Sequence, residues 1–117
     1  MLMTQVLVDA YECGPVIRDE TALVQVCHDT AEHVGATIMG DALVRFVPHG
    51  LTVALFLAES HLVLTTWPEH ELLLIDLLLC NPGMDAEKAA TRLAKSLSPD
   101  CRLVVHKVQR HIAPQPV

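Results

Sequence analysis

The sequence has few aromatic residues and few basic ones, and each shortage excludes a class of function. Four of its 117 residues are aromatic, and eight Lys and Arg residues stand against fourteen Asp and Glu, which gives a formal net charge of −6. Proteins that bind nucleic acid nonspecifically present a basic surface and aromatic stacking platforms, so we expect no nucleic-acid partner. The same acidity argues against a polybasic module that binds a membrane surface.

The sequence also lacks an uninterrupted apolar segment long enough for a membrane span, although its mean hydropathy is +0.37. The richest run, at 72–80, contains Asp76 and is followed by Pro82 and Gly83. A span needs roughly 18 or more apolar residues, and residues 1–5 lack the basic region of a signal peptide. We therefore expect a cytoplasmic protein with no membrane partner, whose surplus apolar surface is buried between subunits.

Neither the cysteines nor the histidines have the spacing of a structural site. The four cysteines are far apart and none belongs to a CxxC pair. Without an export signal we expect no disulfide framework, and the seven histidines add no zinc-ligand spacing. The sequence therefore predicts no metal site.

Hydrophobic periodicity predicts two helices, because apolar residues recur at steps of three and four after Arg18 and again from Asp85 to Leu97. Asp19 and Asp85 suit the helix starts, and Gly35 suits the end of the first helix. Strands are predicted at 6–11, 36–46, 51–58, 62–67, 72–80 and 101–108. The fifth is apolar on both faces, so we expect it to be covered on both sides, with Asp76 paired or at an interface.

Length and element order together predict the architecture. A chain of 117 residues suits one domain that covers residues 1–117. The order of strand, helix, four strands, helix and strand predicts an α+β fold. We expect a two-layer sandwich, with a mainly antiparallel β-sheet and helices packed on one face.

Two short motifs and a cysteine stand in one segment of the chain. They are Leu57-Ala58-Glu59-Ser60-His61, then Thr66-Trp67-Pro68-Glu69, then Asp76 and Cys80. A lone Glu-Ser-His would be uninformative, whereas both motifs with a cysteine at this spacing are specific. On these residues, and on shorter matches through most of the chain, the sequence resembles the small prokaryotic type of S-adenosylmethionine decarboxylase.

The resemblance implies a proenzyme that cleaves itself between Glu59 and Ser60 into fragments 1–59 and 60–117. Ser60 would become a covalent pyruvoyl group, the expected cofactor, which forms a Schiff base with a substrate amine and acts as an electron sink. The implied reaction is decarboxylation of S-adenosylmethionine, a small amino-acid-type substrate, to supply the aminopropyl donor for spermidine. The implied assembly is a homodimer of processed protomers, with sites near the interface.

The resemblance also implies roles for individual residues. Cys80 matches a cysteine that returns a proton to the decarboxylated carbon, which suits a thiol with an ordinary pKa of about 8.5. Phe46 matches an aromatic residue that stacks on adenine, and Glu69 matches a carboxylate that binds the ribose hydroxyls. Leu62 is expected to line the same pocket. Thr52 stands where the family has a processing serine, and its hydroxyl could polarise the carbonyl at the cleavage site.

The sequence departs from the family pattern around this site. Thr65 stands where the family has a histidine that takes the α-proton during processing, and His61, His49 and His70 are the alternatives. Thr65 and His61 thus join Ser60 and Cys80 as candidate catalytic residues. Changes at 70–74 and at Val44 leave open a relative that decarboxylates L-ornithine or L-arginine. Thr65 leaves open an unprocessed binding or regulatory subunit.

Overall fold

The structure, a computed structural model, describes residues 2–113. Its strands are β1 (Leu2–Tyr11), β2 (Ile38–Arg45), β3 (Leu51–Leu57), β4 (Ser60–Trp67), β5 (Leu72–Leu79) and β6 (Arg102–His111). They form one antiparallel sheet in the order β2-β3-β4-β5-β1-β6. Two helices, α1 (Glu20–Val34) and α2 (Ala86–Leu97), pack on one face of this sheet. The predicted α+β two-layer sandwich is confirmed.

The helix ends follow the local signals in the sequence. The Asp19 carboxylate accepts a hydrogen bond from the Ala22 amide at 3.1 Å, and the Asp85 carboxylate does the same for Lys88 at 3.0 Å. Gly35 ends α1 with a φ of 76°, a left-handed conformation that glycine adopts without a steric penalty. Helix α1 begins later than Arg18 because residues 14–18 form a separate 3-10 turn.

The core lies between the sheet and the two helices. Alternate residues of the three central strands point into it, and all of them are apolar except the buried Thr66. Leu23 of α1 and Leu93 of α2 fill it from the other side. Burying one such leucine stabilises the fold by about 1.5–3 kcal/mol relative to leaving it in water.

The opposite face of the sheet carries no helix, and we call it the open face. Its apolar residues are partly exposed, including Phe56 at 52% and Trp67 at 48%. The prediction that 72–80 is covered on both sides is therefore wrong within one chain, because both helices pack on the same face. In the part of the chain that the structure describes, no helix is both long and apolar enough to cross a bilayer.

Candidate functional site

The predicted cleavage point lies in the tight turn between β3 and β4. Leu57 pairs with Ser60, so Ala58 and Glu59 alone form the turn. Glu59 has a φ of 60°, which is the left-handed region. A residue other than glycine held there stores strain of about 1–3 kcal/mol. The backbone is thus strained at the residue whose carbonyl Ser60 would attack.

Ser60 and Cys80 converge on the same turn. The Ser60 hydroxyl donates to the Ala58 carbonyl at 3.2 Å, and the Cys80 thiol donates to the same oxygen at 3.5 Å. They meet because β4 starts at Ser60 while the neighbouring antiparallel β5 ends just before Cys80. The structure therefore brings together the nucleophile and the thiol that the sequence analysis singled out.

His61 lies on the open face, in a row of polar side chains that crosses four strands. Its Nε2 atom is 3.1 Å from Oδ1 of Asp76, and the Gln5 amide donates to that same oxygen at 2.9 Å. Arg110 in turn donates to Oε1 of the Gln5 side chain at 3.0 Å. Asp76 is therefore paired, as expected. Sequence reasoning missed Gln5 and Arg110, because only the position of β1 between β5 and β6 places Gln5 beside Asp76 and Arg110 beside Gln5.

Thr52 and Thr65 lie opposite each other on β3 and β4. Their hydroxyl oxygens are 3.0 Å apart and form one hydrogen bond. Thr65 is five residues beyond Ser60 on the same strand, and at the usual rise per residue this puts their Cα atoms about 16 Å apart. Within one chain, neither threonine reaches the cleavage site.

Phe46 and Glu69 lie at the other end of the sheet, in the turns that follow β2 and β4. Phe46 is 49% exposed, and its amide donates to the Gly50 carbonyl at 2.8 Å. A Cβ at Gly50 would lie 3.2 Å from the Thr66 carbonyl, so this close turn favours glycine, which has a φ of 101°. A cavity of about 290 Å³ opens beside Phe46 and Gly50 and is also lined by Arg18, Arg45 and Pro68.

The Glu69 carboxylate is held in its charged form. A hydrogen bond from its own backbone amide and an ion pair with His49 lower its pKa. Because the group stays ionised, it can accept hydrogen bonds from two hydroxyls of a sugar. His49 is therefore paired with Glu69 in this chain. Both residues lie at the end of the sheet that is remote from Ser60.

Leu62 points away from the open face. Its side chain is 0% exposed and lies in the core, on the face that the helices cover. Because β4 alternates, the side chains that point to the open face are those of His61, Val63, Thr65 and Trp67. A pocket on the open face would therefore meet Leu62 only through its backbone, and its place in the substrate pocket stays a prediction.

The predicted site residues thus form two separate groups. The cleavage end contains Ser60, Cys80 and His61, and the aromatic end contains Phe46 and Glu69. The seven steps from Ser60 to Trp67 along β4 alone span about 23 Å at the usual rise per residue. One substrate molecule cannot contact both ends of a single chain.

The other three cysteines are buried in the core. Burial raises the pKa of the Cys27 thiol to about 12. Burial and the neighbouring Cys101 raise the pKa of Cys13 to about 11. A high pKa keeps a thiol protonated and unreactive. Cys80 is the one of the four cysteines that is not buried. Within residues 2–113, no group of three or more His, Cys, Asp or Glu side chains could hold a metal ion.

Comparison with known proteins places this geometry in a family. A sequence profile described as S-adenosylmethionine decarboxylase matches residues 4–111. A protein from Thermotoga petrophila, named S-adenosylmethionine decarboxylase proenzyme, is 38% identical over 88 residues, which are 74% of this chain and 68% of that protein. A protein of the same name from Thermosipho melanesiensis is 32% identical over 93 residues, 79% of this chain and 72% of that protein.

A solved structure supports the fold independently. The crystal structure of the adenosylmethionine decarboxylase from Aquifex aeolicus superposes with a TM-score of 0.80 at 24% identity, over 99% of this chain and 96% of that one. The resemblance seen in the sequence motifs is confirmed by the profile match and by the relatives. The chain therefore belongs to the S-adenosylmethionine decarboxylase family of carboxy-lyases.

Proposed function

We propose that this chain is the proenzyme of a pyruvoyl-dependent S-adenosylmethionine decarboxylase, which cleaves itself between Glu59 and Ser60. The observation that carries the proposal is the convergence of Ser60 and Cys80 on one strained turn. The decarboxylated product is the aminopropyl donor for spermidine. A cytoplasmic location is part of the proposal.

The turn suits self-cleavage. Ser60 directly follows Glu59, so its hydroxyl can add to the Glu59 carbonyl through a five-membered ring. The left-handed conformation of Glu59 is relieved when the peptide bond breaks, which favours the cleaved form. Ser60 is only partly buried, so water can reach the new chain end.

The residues at this turn also fit the pyruvoyl group that Ser60 would become. When present, this group supplies an electron sink for the carbanion left after loss of carbon dioxide. Cys80 holds a proton on Sγ within the same turn, 3.5 Å from the Ala58 carbonyl. That placement supports its role as the acid that protonates the product carbon.

The separation of the two ends supports a homodimer with composite sites. Phe46 is exposed for stacking on adenine, and Glu69 is ionised for binding ribose hydroxyls. Both lie more than a substrate's length from Ser60 of the same chain. We therefore assign each site to two protomers: the cleavage end comes from one, and the aromatic end and the threonine pair come from its partner.

The open face supports the same assembly. It presents a continuous set of partly exposed apolar side chains, among them Phe56, Val63, Leu74 and Leu78. A monomer rarely leaves so large an apolar surface in water. A two-fold axis parallel to this face and perpendicular to β4 would stack the open faces of two protomers. It would turn β4 of one protomer antiparallel to β4 of the other, which brings opposite ends of the two chains together.

The first test is the intact mass of the purified protein under denaturing conditions. We expect two fragments, 1–59 and 60–117, with the second lighter than its serine form by the mass of one ammonia. The matched control is Ser60→Ala, which should remain a single chain of 12.8 kDa. A wild-type chain that stays intact for days would refute the proposal and support the unprocessed subunit.

The second test is carbon dioxide release from carboxyl-labelled substrates. We expect release from S-adenosylmethionine, which agrees with the names of the relatives. Release from L-ornithine or L-arginine alone would refute the proposed substrate and leave the proposed self-cleavage standing.

A further inference from the structure

A histidine–carboxylate pair stands beside the cleavage site in a chain that has Thr65 in the usual place of the base. We propose that His61 is the base that takes the α-proton of Ser60 during self-cleavage, and that Asp76 and Gln5 position it. This inference rests on the proposed function, because it concerns a step of the self-cleavage. It gives Asp76 a role that the sequence analysis did not assign.

The hydrogen bonds around Asp76 select one tautomer of His61. Oδ1 of Asp76 accepts from the Gln5 amide at 2.9 Å and lies 3.1 Å from Nε2 of His61. A carboxylate only accepts hydrogen bonds, so Nε2 carries the ring hydrogen. Nδ1 then keeps its lone pair and is the basic atom, in the arrangement by which a carboxylate orients a catalytic imidazole.

The position of Asp76 is itself fixed. Arg110 donates to Oε1 of the Gln5 side chain at 3.0 Å, which leaves Nε2 of the same side chain to donate to Asp76. The charged groups that face the imidazole are therefore Asp76 directly and Arg110 through Gln5. Glu59 precedes it by two residues, at the exposed turn.

Within residues 2–113, His61 is the histidine next to Ser60 in the sequence. Their Cα atoms are joined by a single peptide unit and lie about 3.8 Å apart. Thr65 of the same chain is about 16 Å along the strand, and His49 and His70 of the same chain lie beyond its far end, past about 23 Å. The proposed dimer brings the aromatic end of the partner to Ser60, but there both of these histidines act on the Glu69 carboxylate. The Cys80 thiol donates to the Ala58 carbonyl and retains its proton.

The chemistry balances without an added oxidant or reductant. Ser60 Oγ bonds to the Glu59 carbonyl carbon, the Glu59–Ser60 C–N bond breaks, and the hydroxyl proton passes to the departing nitrogen. Nδ1 of His61 then takes the α-proton, and that electron pair forms the Cα=Cβ bond. The Cβ–Oγ bond breaks and Glu59 leaves as a carboxylate. Water replaces the nitrogen, which departs as ammonium and carries away the proton.

The test is the rate at which freshly translated proenzyme is cleaved, followed by intact mass under denaturing conditions. A positioned base accelerates proton transfer by about 10²–10⁴-fold, so His61→Ala should slow cleavage at least 100-fold. The chain offers a matched control on the same face, His106, whose Nε2 is 3.3 Å from Asp9. It lies three strands from β4, about 14 Å away, so His106→Ala should cleave within twofold of wild type.

Two further readouts separate a catalytic role from a structural one. Added imidazole should restore cleavage of His61→Ala at least tenfold, since a free imidazole can occupy the space left by the side chain. Asp76→Asn should slow cleavage, and it should add nothing in the His61→Ala background, because Asp76 acts through His61. Circular dichroism of each variant checks that the sheet has formed.

The outcomes distinguish this inference from the proposed function. If the wild type is cleaved and His61→Ala is cleaved equally fast, the role of His61 as the base is refuted and self-cleavage stands. If His61→Ala is slow, gains nothing from imidazole and loses more with Asp76→Asn, the pair is structural and the inference fails. If the wild type itself is never cleaved, the proposed function fails.

Discussion

Two variants that are each inactive alone should restore activity when they are co-expressed. One is Ser60→Ala, which destroys the cleavage end, and the other is Phe46→Ala with Glu69→Gln, which destroys the aromatic end. The prediction follows from the separation of these ends by about 23 Å along β4. If each site combines the two ends from different protomers, a mixed dimer contains one site in which both ends are intact.

The magnitude follows from the two-fold symmetry. Random pairing at equal expression gives half mixed dimers, and each has one intact site of two, so the mixture should show about one quarter of the wild-type activity per dimer. Mixed dimers isolated with two different affinity tags should show about one half. If every site were built within one chain, both preparations would show none.

The assay is carbon dioxide release from carboxyl-labelled S-adenosylmethionine by the doubly tagged dimer. The matched control is a mixed dimer of wild type and Ser60→Ala, which also retains one intact site and should be equally active. Size-exclusion chromatography confirms that both preparations are dimers. A folded variant–variant dimer without activity, beside an active control dimer, would refute the composite site.

Three further predictions concern the fold and its titratable groups. Leu64→Ala in an uncleaved background should lower the free energy of unfolding by about 2–5 kcal/mol in urea titrations, because Leu64 is fully buried; a loss below 1 kcal/mol would contradict the core assignment. The hydrogen bond from Arg45 lowers the pKa of Glu20, so Glu20→Gln should be less stable than wild type above the ordinary pKa of Glu20, and the difference should vanish as pH falls through its lower folded-state pKa; a difference that persists in acid would argue against the pair. Iodoacetamide should modify Cys80 first in the native protein, because burial raises the pKa of Cys27 to about 12; peptide mass mapping would expose any other order.

Most of the fold could be predicted because its signals are local. Asp19, Gly35 and Asp85 mark helix ends by hydrogen bonds and backbone angles that involve only their neighbours. The signals that predict the turns are equally local. The one failure of architecture, the expectation that 72–80 is covered on both faces, arose because an apolar strand looks the same whether its second face meets a helix or another subunit.

The site was predictable only where a motif is compact. Ser60 and Cys80 are correctly grouped because β4 and β5 are adjacent. The burial of the Leu62 side chain could not be predicted, because β4 has apolar residues on both faces and its sequence does not tell which face meets the core. A register shift by one residue reverses every side chain. The pairing of Asp76 with His61 depends on strand order, which no local pattern encodes.

The strand order has a consequence for the cleaved molecule. Fragment 1–59 supplies β1, β2 and β3, and fragment 60–117 supplies β4, β5 and β6, so β1 is inserted between β5 and β6 of the other polypeptide. The proposed cut would therefore produce two interleaved chains, which stay together through both ladders of β1 and through the ladder between β3 and β4. Before the cut, unfolding of a protomer involves one chain; after it, unfolding releases two. The melting temperature of the cleaved protein should consequently rise with its concentration, and a mature molecule that loses its structure has to recapture its other half from solution.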